Sequence, residues 1–184
     1  MTQPATGSPP QTLSFEGQGA SPGVAYGRAF LSLAGLEEIE TVRVRDDEVE
    51  RELARVDSAA RAARVSLVHQ RDALGESFTL EQRRIFDSHL TMLEDPVLEA
   101  DLRGRILNDR LNFEGALKDM IGVYERLFEV VQSANLRSKL VDMRDIALRL
   151  LRFAKPPGER ARRAADMKGG VLVGRELSLS DLTE

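Results

Sequence analysis

Two histidines, thirty acids and no cysteine are the groups from which any chemistry in this chain must be assembled. One of the histidines, His89, lies in EQRRIFDSHLTMLEDPVLEADL, residues 81–102, between apolar residues and a cluster of acids. An imidazole so placed can move a proton, carry a phosphoryl group, meet a partner, or pack at the margin of a core. A phosphoryl carrier needs an exposed ring with Arg, Lys, backbone amides or a metal beside it. His89 has Asp87, Glu94 and Asp95 for sequence neighbours instead, and dense negative charge repels a phosphoryl donor. Ile85 four residues before and Met92 three residues after put His89 on the edge of a helix's apolar stripe, so packing is the plain reading and partner recognition the sharper one. His69, in LVHQR, falls off the main stripe of its helix and reads as solvent-facing.

The acids offer a second chemistry. From Glu81 to Asp101 the chain carries six acids against Arg83 and Arg84, a local charge of −4. Paired carboxylates serve general acid–base work only in a pocket that drives their pKa values apart, and a solvated helix face does not do that. Acids interspersed with Phe86, Leu90 and Met92 suit docking of a basic protein with an apolar spot, because complementary charge speeds encounter and apolar anchors hold it. From Arg144 to Lys168 the balance reverses, with eight bases against three acids. Phe153 is the one aromatic residue among them, which argues against a nucleic-acid surface. The pair Gly169-Gly170 lacks the Lys-Ser/Thr of a phosphate loop and reads as a turn. Without cysteine, and with two histidines twenty residues apart, neither a thiolate nucleophile nor a histidine metal site is expected. No apolar run nears the roughly 18 residues of a membrane span, and the start lacks the order of a signal peptide, so the chain reads as soluble and cytoplasmic.

These residues need elements to hold them. Residues 1–14 mix Pro, Gly, Ser and Thr and read as a disordered lead. Val24, Tyr26, Arg28 and Phe30 alternate after Ser-Pro-Gly as a strand would, and residues 41–44 suggest a weaker one. From Asp46 the period becomes helical. Val49, Leu53, Val56, Ala60, Ala63 and Leu67 recur at steps of three and four in one helix of roughly eight turns ending near Gly75. Thr79 and Gln82 have capping-box spacing ahead of a second helix with a wide stripe, Ile85/Phe86, His89/Leu90 and Met92/Leu93. Asp95-Pro96 stops it and caps a third, carrying Leu98, Leu102 and Ile106. Phe113, Leu117, Met120, Tyr124, Leu127 and Val131 mark a fourth. Leu136, Leu140, Met143, Ala147, Leu150 and Ala154 mark a fifth, stopped at Pro156-Pro157-Gly158. Residues 169–173 read as a short buried strand. The fold predicted is mainly α: an antiparallel helical bundle over 46–155 inserted into an incomplete α/β domain made of 15–45 and 156–184.

Three segments carry a resemblance. GQGASPGVAYGRAFL, IFDSHLTMLEDPVLEADL and VDMRDIALRLLR, in this order, resemble the opening strand, the His-containing helix and the Asp-x-Arg-Asp segment of Enzyme I of the phosphoenolpyruvate-dependent phosphotransferase system. The likeness covers residues 17–184. It implies a helical insert of HPr-binding type, HPr being the small phosphocarrier protein, with a docking face around Glu81, Phe86, His89, Met92 and Asp95 and no catalytic residue among them. It also implies an α/β domain whose own histidine shuttles phosphate from phosphoenolpyruvate to HPr. Mg2+ belongs, by the same resemblance, to the phosphoenolpyruvate barrel of the full-length enzyme, as do the dimer contacts. ELSLSDLTE carries Leu179 where the family has proline, and the family's Gly-Gly-x-Thr-Ser-His loop does not occur in the sequence, so this chain by itself is expected not to transfer phosphate. The alternative is a non-catalytic helical adaptor for a basic protein.

Overall fold

The computed structural model describes Ser14, Glu16, Gln18, Gly19 and residues 22–32, 35–36, 39–73, 79–131, 134–156, 158 and 167–174. The proposed end of the first helix at Gly75, the basic run Arg160–Arg163 and ELSLSDLTE lie outside these residues, as does the lead apart from Ser14.

Five helices follow one strand and precede another. Strand β1 is Ala29–Ser32; a short 3-10 turn, Asp46–Glu48, opens onto α1, Val49–Ala73; then come α2, Leu80–Leu93, α3, Pro96–Asp109, α4, Phe113–Val131, and α5, Ala134–Ala154; β2 is Val171–Gly174. β1 and β2 pair in parallel, Ala29 opposite Val171 through Ser32 opposite Gly174, although the helices separate them in sequence. The helical bundle is therefore an insertion between two adjacent strands, as the predicted fold class requires.

Helix α1 is the central element and packs against all four other helices. Its stripe buries Val49, Val56, Ala59, Ala63 and Leu67, while Leu53 and Ala60 sit at its half-buried edge. Against it lie Phe86 of α2, Leu102 and Ile106 of α3, Phe113, Leu117 and Ile121 of α4, and Met143, Ala147 and Leu150 of α5. Asp95 caps α3 as its sequence promised: the carboxylate accepts from the Val97 amide at 2.8 Å with Pro96 in the first turn. Asn112 caps α4, its Oδ1 accepting from the Gly115 amide and also from the Val42 amide, both at 3.1 Å. That second bond ties the helix start to the 41–44 segment, whose strand signal amounts to one antiparallel bridge, Arg43 opposite Leu111.

Three expectations are corrected. The strand predicted from Val24 begins only at Ala29, and Val24 and Tyr26 are fully exposed. Its partner β2 is four residues long, so earlier residues find no ladder to join. β2 is half-buried instead of buried, with Val173 45% exposed beside exposed Leu31. Leu127, placed on the core stripe of α4, is 54% exposed, because that end of the helix turns Tyr124 and Phe128 toward the core and Leu127 away from it. At the sheet entry Gly169 takes a left-handed φ of 75°, and Gly170 lies against the Phe30 ring and the Arg28 carbonyl, where a Cβ would collide.

Candidate functional site

The candidate residues of α2 divide between two adjacent stripes. Met92 and Asp95 share one face by spacing with Ile85 and Ser88, while the Glu81 side chain lies outside those the structure describes. Ile85 and Ser88 are exposed, and Met92 and Asp95 half-exposed; Met92 leans partly on the core. Phe86 and His89 occupy the neighbouring stripe and are 2% and 3% exposed. In this structure Phe86 packs in the core and the His89 ring points inward, so neither offers a free side chain to a partner. His69, by contrast, is exposed as expected. Exposed Leu80 and Val97, at the starts of α2 and α3, extend the apolar content of the outer face.

The acids that face His89 are not those of its own segment. Its Nε2 lies 3.5 Å from Asp142 Oδ1 and its Nδ1 3.4 Å from Asp145 Oδ2, both carboxylates belonging to α5. The Asp145 carboxyl is nearly as buried as the ring, and that of Asp142 is 30% exposed. One turn beyond Asp145, the fully buried Arg149 donates from Nη1 to Gln70 Oε1 at 3.1 Å and to Ser66 Oγ at 3.4 Å on α1. A polar seam thus runs through the junction of α1, α2 and α5. Sequence reasoning missed Asp142, Asp145 and Arg149 as site residues. Their signal was an i, i+3, i+7 set of charges bordering the apolar stripe Met143, Ala147, Leu150. Arg149 is one of the eight bases counted from Arg144 to Lys168; its guanidinium is interior, and Arg144 of the same run pairs with Glu125 on α4.

The acidic segment is also less negative than its composition. Glu94 meets Arg64 at 2.5 Å and Asp87 meets Arg71 at 3.4 Å, joining α2 to α1. Glu99 is held by Arg103 at 2.8 Å and Asp101 by Arg105 at 3.1 Å. Asp95 is engaged by the α3 amide but meets no cation among the described residues. The field around the outer stripe therefore comes from partly neutralised carboxylates together with Asp95 at its end.

A second polar cluster, toward the other end of α1, has a structural task. Glu52, 2% exposed, accepts from the Phe113 amide at 3.0 Å and from Arg55 at 2.6 Å. Burial pushes its carboxyl up, but the Phe113 amide, Arg55 and Arg51 outweigh this and hold it below the ordinary carboxylate range. Arg55 bridges onward to Glu114. Among the described residues no group of three His, Cys, Asp or Glu could hold a metal ion.

A five-helix bundle inserted between paired strands, with the His-containing helix laid against an Asp-x-x-Asp helix, can now be set beside known proteins. The family described as PEP-utilising enzyme, N-terminal, matches residues 16–139. The chain belongs to this family. This PEP-utilising enzyme region is 31% identical over 177 residues to the phosphoenolpyruvate-protein phosphotransferase of Streptococcus equinus, covering 94% of the chain and 30% of that protein. It is 30% identical over 137 residues to the phosphotransferase of the same description from Listeria monocytogenes, covering 74% and 24%. Two solved structures share its fold: an Enzyme I protein determined by NMR, with a TM-score of 0.64 and 24% identity, and the "N-terminal domain of Enzyme 1 - Nitrogen", with 0.67 and 22%. The alignments cover 89% and 90% of this chain and 66% of each of those chains. The chain spans less than a third of the length of the curated relatives it matches. No described helix is long and apolar enough to cross a membrane.

Proposed function

We propose that this chain is the phosphocarrier-docking portion of an Enzyme I-type, cytoplasmic phosphotransferase. In the whole protein, phosphate would pass from phosphoenolpyruvate through a histidine to HPr; residues 46–155 would form the docking domain, and 15–45 with 156–184 part of the α/β domain. The observation that carries this reading is the outer stripe of α2, where exposed Ile85, half-exposed Met92 and the carboxylate of Asp95 stand together, with exposed Leu80 and Val97 nearby. Apolar anchors rimmed by acids complement a small basic partner. Family membership supports it independently. Glu81 joins the stripe by spacing; Phe86 and His89 are assigned a supporting place beneath it, because their side chains are buried. Neither histidine is the phosphoryl carrier on this reading, since His89 is enclosed with two carboxylates and His69 lies on the outer face of α1.

The test is an NMR titration of the labelled chain with unphosphorylated HPr. Backbone shifts should concentrate on residues 81–97. Asp95→Asn keeps a good helix cap while removing the charge, and should weaken binding by about 3- to 10-fold at low salt, the loss shrinking as salt rises. No shifts at millimolar HPr would sink the docking reading, and a loss independent of salt would reassign Asp95 to a purely structural cap.

A further inference from the structure

The buried histidine carries more than packing. His89 lies four residues after Ile85 and three before Met92, so the direction of its ring sets the azimuth of the outer stripe of α2. Its two nitrogens face two carboxylates spaced one turn apart on α5, Asp142 at 3.5 Å and Asp145 at 3.4 Å. The ring thus stands between two carboxylates, one against each nitrogen edge, in close contacts that do not have hydrogen-bond geometry. Turning α2 by one residue, about 100°, would take the ring out of reach of both carboxylates at once. Apolar contacts do not impose this: Phe86 is the one other fully buried side chain described on α2, while Leu90, Met92 and Leu93 are only half-buried and can slide. The α1 side adds two ion pairs, Arg64–Glu94 and Arg71–Asp87, each with at least one partner more than half exposed, and these are weak guides.

We infer that His89 is a positioning residue for partner docking: clasped between Asp142 and Asp145, it fixes the rotation of α2 and so the presentation of Ile85, Met92 and Asp95, without touching the partner. This rests on the docking reading above. Asp142 and Asp145 are the other half of the clasp, and Arg149 continues the same polar seam to Gln70 and Ser66 of α1.

The experiment compares HPr binding and thermal stability for the wild-type chain, His89→Gln, Asp142→Asn, Asp145→Asn and the double variant His89→Gln/Asp145→Asn. A positioning role weakens the affinity of the folded protein by about 5- to 20-fold in His89→Gln and Asp145→Asn, and the double variant binds no worse than the weaker single one. A role in packing alone lowers the melting temperature and leaves Kd unchanged; Ile121→Val, a cavity in α4 away from the clasp, gives that reference behaviour. If His89→Gln and Asp145→Asn do not fold, Asp142→Asn decides: the 15N signals of the His89 ring should move and Kd should rise, and both staying at wild-type values overturns the inference. Wild-type binding with folded His89→Gln within twofold of it also overturns the inference while leaving the docking reading intact. Absence of wild-type binding overturns both.

Discussion

Replacing Glu52 with Gln tests how the bundle is held. The wild-type carboxylate is 2% exposed and accepts from the Phe113 amide at 3.0 Å and from Arg55 Nη1 at 2.6 Å, with Arg51 Nη2 at 3.4 Å on the other oxygen. A glutamine of the same shape keeps one accepting oxygen and turns an NH2 group toward the remaining donors. Arg55 stays compensated by Glu114, so no bare buried cation results. The loss is therefore one charge-assisted hydrogen bond at a buried site, about 1.5–3 kcal/mol. For a chain of this size that lowers Tm by roughly 3–12 °C. The pH dependence follows from the depressed carboxyl of Glu52. Its contribution is complete above the unfolded value, about 4.3, and is lost as pH falls through the lower folded value. Urea titrations at a series of pH values should show a constant wild-type to Glu52→Gln gap from neutrality down to about pH 5, closing in more acid solution. A variant within about 1 °C of wild type at pH 7, against the expected fall, or a gap that does not change wherever both proteins still fold, would refute the assignment.

Asn112→Ala removes the cap of α4 and the bond to Val42, so about 1–2 kcal/mol of stability and faster amide exchange at Gly115 and Val42 are expected by hydrogen-exchange NMR. Gly170→Ala should open the β1–β2 pair, because its Cβ meets the Phe30 ring and the Arg28 carbonyl. Protection of the Val171 amide, now bonded to Arg28 O at 2.9 Å, should fall while α1 keeps its protection; unchanged Val171 exchange would contradict the fit. Burial and the Asp101 carboxylate push the Tyr124 hydroxyl above its ordinary value, so the fold favours the neutral phenol and loses stability as pH rises past about 10. Tyr124→Phe should remove both that loss and the late step in the 295 nm absorbance titration; a titration without such a step would count against it.

Much of the architecture is legible in local pattern. The step of three and four from Val49 to Leu67 places α1 and names the residues it buries, and Asp95-Pro96 fixes the α2–α3 boundary through one side-chain bond. The early strand fails for a reason outside its own residues: Val24 and Tyr26 alternate properly, but a strand exists only where a partner runs beside it, and β2 meets β1 at Ala29. The site fails similarly. Sequence neighbours made His89 look surrounded by Asp87, Glu94 and Asp95, whereas the helix turns Asp87 and Glu94 toward Arg71 and Arg64 and gives the ring to carboxylates some fifty residues away. Charge counting is blind for the same cause: Arg149 counts with the other bases of its segment although the chain encloses it.

The two polar clusters flanking α1 have different consequences. Glu52 and Arg55 join α1 to the start of α4, where Phe113, Leu117 and Ile121 already supply an apolar anchor, so the ion pairs there reinforce a placement that packing has set. At the α2–α5 contact the balance is reversed. Exchanging a buried ionic group for an apolar one is often neutral or stabilising, so the seam of His89, Asp142, Asp145 and Arg149 is poorly explained as a source of stability. On the inference above, the two carboxylates set against opposite edges of the His89 ring do something apolar packing cannot: they distinguish one rotation of α2 from its neighbours. A helix that presents a docking stripe, as proposed for α2, needs that distinction.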